Sequence, residues 1–193
     1  MLRFDSVIVA GGRSSRLGGT PKAGLRRGDE SLVEITVRAV AEAGSAVVVG
    51  PENLDVPHGT LRTRENPPFS GPAAAIAAGL DLLAHQPDRA AWTAVLACDM
   101  PAIAGAVHTL ADAARDLPDE ADGLIATATD GHRENLAVMI RTAPLTSVFS
   151  EHHARDRSVR SFWKHLRLIE VRAPAGSTQD VDTWEDVTRF DLH

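Results

Sequence analysis

The densest chemistry in the sequence lies in one stretch, Ala10-Gly11-Gly12-Arg13-Ser14-Ser15-Arg16-Leu17-Gly18-Gly19-Thr20-Pro21-Lys22. Its four glycines let backbone N–H groups approach an oxyanion closely. Ser14 and Ser15 add hydroxyls, and two arginines with a lysine add fixed positive charge. Those are the requirements of a polyphosphate. Neither of the commonest phosphate loops is present, because Pro21 precedes Lys22, Ala23 follows it, and Gly11-Gly12-Arg13 is not G-x-G. A solvated, glycine-rich surface loop is the plain alternative. Against it stands length: roughly twenty residues without an element of their own are unusual in a compact domain unless they bind something.

The matching acids are Asp99, at the end of the apolar run Trp92 to Ala97, and the pair Asp180 and Asp182. Asp99 taken alone suits a turn before Pro101, and the pair alone suits the cap of a helix. Facing a basic glycine loop, the same carboxylates suit Mg²⁺ on a triphosphate, since magnesium prefers one or two carboxylates together with phosphate oxygens. Asp99 and Asp182 are the expected ligands, with Asp180 in reserve. Cys98 reads as a small buried hydrophobe, Arg155, Arg157 and Arg160 as a solvated helix face, and His152 with His153 as lacking metal-site spacing.

These residues need a frame. The chain has 193 residues, 44% hydrophobic, which suits one domain over 1–193, with 128–172 as a candidate subdomain over the crevice. Val7 to Ala10, Ala46 to Val49 and Trp92 to Ala97 read as strands buried on both faces; Leu61 to Arg64, Gly123 to Thr127, Leu136 to Ile140 and Leu168 to Val171 complete the set. Helices are expected over Ser31 to Ala43, from Pro72 onward, over Ile103 to Arg115, over Arg157 to His165 behind an Asp156 cap, and over Thr183 to Phe190. Such alternation predicts an α/β fold, a three-layer α/β/α sandwich with a mostly parallel, Rossmann-like sheet, whose ligands sit beyond the carboxyl ends of the strands.

Composition excludes several functions. A net charge of −6 and 4% aromatic residues with no tyrosine argue against a nucleic-acid partner. No apolar stretch approaches the roughly 18 residues of a membrane span, no export signal is evident, and a lone cysteine suits the reducing cytoplasm.

The order A-G-G-x-x-x-R-x-G-x-x-x-K, carried here by Ala10, Gly11, Gly12, Arg16, Gly18 and Lys22, resembles the signature loop of nucleotidyltransferases that activate sugars and cofactors with a nucleoside triphosphate. Glu65-Asn66-Pro67 with Gly71-Pro72, Cys98-Asp99-Met100-Pro101, and Asp180 to Asp186 resemble, in order, the nucleoside-contacting, metal-aspartate and late acidic motifs of the molybdenum cofactor guanylyltransferases of MobA type. The resemblance spans residues 6 to 190. It implies a nucleotidyltransferase fold and transfer of a nucleotide from GTP to the phosphate of molybdopterin, with Mg²⁺ as cofactor and pyrophosphate released.

In that reading Arg16 and Lys22 are catalytic, and Ala10, Gly11, Gly12, Arg16, Lys22, Asn66, Gly71 and Asp99 bind the nucleotide. Glu134 and Asn135 meet the pterin unless they form an ordinary hairpin turn. Proteins of molybdenum insertion or molybdoenzyme maturation would be further partners. Asn66 stands where the family usually has aspartate and Trp184 where it usually has proline, departures that bear on base preference and on the second acidic loop. Molybdopterin cytidylyltransferases and sugar-phosphate nucleotidyltransferases share the chemistry. A non-catalytic nucleotide carrier is the contrasting class, and Arg16, Lys22 and Asp99 together speak against it.

Overall fold

A computed structural model describes residues 2–12 and 14–193. Nine strands and six α-helices follow in the order β1 (Phe4–Val9), β2 (Arg26–Arg27), β3 (Glu30–Ser31), α1 (Leu32–Ala39), β4 (Ala46–Val49), β5 (Leu61–Thr63), α2 (Pro72–Ala84), β6 (Trp92–Ala97), α3 (Ala104–Ala113), β7 (Gly123–Thr127), β8 (Arg133–Arg141), α4 (Thr142–Glu151), α5 (Val159–Trp163), β9 (Leu168–Arg172) and α6 (Trp184–Arg189) among the described residues. Seven strands form one sheet in the order β5-β4-β1-β6-β8-β7-β9, and β2 with β3 forms a separate hairpin. Within the main sheet only β8 runs antiparallel to its neighbours.

Side chains alternate across this sheet with a period of two. Phe4, Ile8, Val48, Leu96, Leu124 and Met139 enter the core that α3 covers through Val107 and Leu110, with Ile103 just before the helix. Their chain neighbours, among them Val7, Val47, Val95, Ile125 and Val138, enter the opposite core, with Ile76, Leu80 and Leu83 of α2, Phe149 of α4 and Phe162 of α5. The expected three layers are present. Close seating of α2 depends on Gly79, where an added Cβ would lie 2.5 Å from Val7 Cγ1. Buried Asp5 ties β1 to both flanking connections, its carboxylate accepting from the backbone N–H groups of Ser45 and Ala90.

Several boundaries differ from expectation for local reasons. The segment after β1 is not featureless: it carries two 3-10 turns, Ser15–Leu17 and Lys22–Gly24, and then the β2–β3 hairpin. Helix α1 stops at Ala39, after which the N–H groups of Val40, Ala41 and Ala43 bond three residues back as the chain turns toward β4. Helix α4 was not anticipated; Pro144 falls within its first turn, where a missing N–H costs no helical bond. Asp156 does not cap α5. Its backbone N–H bonds Ser70 O, its φ is 55°, and Ser158 holds the N-cap position. Strand β8 begins at Arg133, so Glu134 and Asn135 sit on a strand rather than in a turn. Among the described residues no helix is long and apolar enough to cross a membrane.

Candidate active site

β1 and β6 are parallel neighbours, with Val9 level with Ala97 and Cys98 N–H donating to Val9 O at 3.1 Å. The chain therefore leaves both strands at the same height, Ala10-Gly11-Gly12 beside Cys98-Asp99. Their carboxyl ends open into a cleft of about 970 Å³ whose lining includes Gly11, Arg16, Lys22, Glu65, Gly71 and Asp99. Ala10, Gly12 and Asp182 line it as well. Arg13 lies outside the described residues.

One end of the cleft is charged. Lys22 Nζ bonds Asp99 Oδ2 at 3.0 Å and Asp182 Oδ1 at 2.5 Å, and Arg16 Nη1 meets Asp182 Oδ2 at 2.5 Å. Burial alone would lower the pKa of Lys22, but the charge of Asp99 and the hydrogen bonds to Asp182 and Asp99 outweigh it and hold the ammonium above its ordinary value. Carboxylate oxygens of Asp99, Asp180 and Asp182 lie within 4.8 Å of one another. Burial first, then the charges of Asp99 and Asp182, pushes the Asp180 carboxyl up. An oxygen-only donor set of this kind fits a divalent cation such as Mg²⁺.

Two devices bring residues so distant in sequence together. Leu17 and Leu25 from the basic segment share a small apolar cluster with Val181 and Val187 from the acidic one, so the two loops are packed on a common floor. The acidic loop is also pinned by its backbone. Val181 N–H donates to Asp99 O at 2.9 Å, and Asp186 Oδ2 accepts from the N–H groups of Asp182 and Thr183 while Thr183 Oγ1 accepts from Asp186 N–H, a capping box that starts α6. The Thr183 hydroxyl also donates to Asp186 Oδ2 at 2.8 Å, and this bond, followed by the two from the backbone, holds the Asp186 carboxyl below its ordinary range.

The other end is quieter. Gly71 has φ 91°, a left-handed conformation suited to glycine, and passes directly into Pro72 at the first position of α2. Asn66 is exposed and is not among the residues lining the cleft. Its neighbour Glu65 is, at 8% exposure, with Oε1 accepting from Phe69 N–H at 2.8 Å and no ion-pair partner among the described residues. Both residues lie past the end of β5 at Thr63, where strand alternation no longer applies, so the inward turn of Glu65 is a feature of the folded loop and not of a sequence pattern.

Glu134 and Asn135 do not line the cleft, although Leu136 does. Glu134 is half-buried, and burial together with the charge of Asp180 raises its pKa, so it extends the acidic field along β8. The Asn135 carbonyl accepts from Trp163 Nε1 at 2.9 Å. Cys98 is buried, which pushes its thiol far up and leaves no thiolate at neutral pH.

Known proteins resemble this chain in sequence and in fold. A molybdenum cofactor guanylyltransferase of Cupriavidus pinatubonensis is 28% identical over 196 residues, covering 95% of this chain and 94% of its own. The crystal structure of molybdopterin-guanine dinucleotide biosynthesis protein A from Archaeoglobus fulgidus superimposes with a TM-score of 0.70 at 16% identity, over 97% of this chain and 96% of that one. A 2-C-methyl-D-erythritol 4-phosphate cytidylyltransferase from Thermus thermophilus gives 0.64 at 17% identity over 96% of both chains, so this fold is shared by enzymes using different bases. Residues 6–171, which include the glycine loop and Asp99 and end before the Asp180–Asp182 loop, match the MobA-like NTP transferase domain, and the chain belongs to that family of nucleotidyltransferases.

Proposed function

We propose that this chain transfers the guanylyl group of GTP to the phosphate of a molybdopterin cofactor and releases pyrophosphate. A phosphate oxygen of the acceptor attacks the α-phosphorus, and the bond from that phosphorus to the oxygen bridging to the β-phosphate breaks. Positioning and charge neutralisation are then the main tasks of the protein. Gly11 and Gly12 have backbone N–H groups that no backbone carbonyl takes among the described residues, and these suit phosphate oxygens. Lys22 and Arg16 neutralise the triphosphate and the departing pyrophosphate. Asp99 and Asp182, with Asp180 beside them, would hold Mg²⁺, whose charge would offset that of the triphosphate. Glu134, which lies near Asp180, stays on the acceptor side in this reading, whereas Asn135, its neighbour on strand β8, points to the other face.

The observation that carries the choice of base is Glu65. An ionised carboxylate only accepts hydrogen bonds, and the N1–H and exocyclic amine of guanine present two adjacent donors to it. Cytosine would set its N3 lone pair against the same oxygens. The guanylyltransferase names of the relatives agree with this reading. Pyrophosphate release with each of the four triphosphates, with and without molybdopterin, tests it. Release that depends on molybdopterin and is fastest with GTP is expected, and faster release with CTP would transfer the assignment to cytidylyl chemistry.

A further inference from the structure

The two basic side chains that would serve the triphosphate are already engaged with the carboxylates that would hold the cation. Both oxygens of Asp182 are taken, one by Lys22 and one by Arg16, and Asp99 shares the same ammonium. Only Asp180 of the three acids has no ion-pair partner among the described residues. Three carboxylates with two cationic side chains carry one net negative charge. Replacing those side chains by a divalent cation leaves the same charge.

Building on the metal reading above, we infer that Lys22 and Arg16 are internal counter-ions occupying the cation position in the nucleotide-free enzyme, so that a divalent cation and a triphosphate bind with positive coupling. The phosphates draw the basic side chains away as the cation takes the carboxylates. Either ligand alone meets a penalty that the other removes. A cation alone must compete with Lys22 for Asp99 Oδ2 and Asp182 Oδ1, and then leaves an ammonium beside a like charge. A triphosphate alone uncovers three carboxylates within 4.8 Å of one another and adds further negative charge. Lys22 and Asp99 side chains are only 19% and 21% exposed, so solvent screens their pair poorly, whereas Arg16 at 70% contributes less. Coupling between two ligands is reciprocal and typically amounts to about 5- to 150-fold in affinity.

The test measures Mn²⁺ binding from the electron paramagnetic resonance signal of the free ion, with and without inorganic triphosphate, which removes the base from the question. Wild type should bind Mn²⁺ weakly alone and more tightly with triphosphate, after allowance for chelation by triphosphate itself. Lys22→Met should bind Mn²⁺ alone about tenfold more tightly than wild type and lose most of the coupling. Arg16→Met should shift the same way by less, and supplies the readout if Lys22→Met does not fold. Folded variants whose Mn²⁺ affinity is unchanged or weaker than wild type would overturn the counter-ion role while leaving the metal site in place. No Mn²⁺ binding by any of the proteins, with or without triphosphate, would remove the metal site and this inference together.

Discussion

The two ends of the cleft handle charge in opposite ways. At one end Lys22, Arg16, Asp99 and Asp182 satisfy one another, and an apolar floor of Leu17, Leu25, Val181 and Val187 keeps them in register. At the other end Glu65 is more deeply buried than any of them, yet its carboxylate is held by one backbone N–H. The rest of its carboxylate opens to the cleft, where an incoming donor completes its hydrogen bonding. In the proposal above the charged end exchanges partners when substrates arrive, and the quiet end offers acceptors to incoming donors. The first arrangement suits chemistry and the second suits selection.

Variants that break this contrast at the charged end should have the largest effects. Lys22→Ala is expected to lower kcat by roughly a hundred- to a thousandfold with the fold intact, the scale for loss of one preorganised charge stabiliser; near-normal turnover of the purified variant would remove Lys22 from the mechanism. Asp99→Asn should abolish magnesium-dependent transfer and change Tm little, because the repulsion it relieves among three acids is offset by loss of its ion pair with Lys22. A clearly destabilised Asp99→Asn enzyme that still turns over normally with magnesium would contradict the placement of the metal.

At the quiet end, Glu65→Gln keeps an acceptor for Phe69 N–H but loses the charge facing the cleft. The GTP-to-CTP ratio of kcat/KM should fall by about ten- to a hundredfold, the range for one charge-assisted hydrogen bond. An unchanged ratio would show that the base is read elsewhere.

The smallest effect concerns the frame. Asp186→Asn should cost about 1 kcal/mol at neutral pH, as loss of a helix cap does. Because the folded state depresses the pKa of Asp186, its contribution is present above the ordinary carboxylate pKa and is lost as pH falls through the folded value. Melting curves of the two proteins should therefore converge as pH falls below the ordinary carboxylate range, where the carboxyl of the wild type takes up its proton.

What the sequence showed depended on how local each signal was. Strands β1, β4 and β6 were legible because burial on both faces demands unbroken apolar runs, and the glycine loop because composition and charge change abruptly within it. Asp99 and the Asp180–Asp182 pair were legible as chemistry, but their meeting with Lys22 rests on contacts spanning 77 and 160 residues. Helix α4 escaped because Pro144 reads as a breaker unless the helix start is known, and α5 was misplaced because docking of Asp156 on Ser70 overrides its capping preference. Motif position points to Asn66, whereas the loop that follows β5 buries Glu65 at the cleft and leaves Asn66 exposed, a choice made by the fold beyond the strand end.

Which phosphorus of GTP reaches the acceptor can be read from paired radiolabels. Wild-type enzyme, molybdopterin and magnesium are incubated once with GTP labelled at the α-phosphate and once with GTP labelled at the γ-phosphate. The α-label is expected in the cofactor product and the γ-label in pyrophosphate, with both appearing about a hundredfold or more slowly in Lys22→Ala. Recovery of γ-label on molybdopterin would mean phosphoryl rather than nucleotidyl transfer, and would contradict the proposed guanylyl transfer.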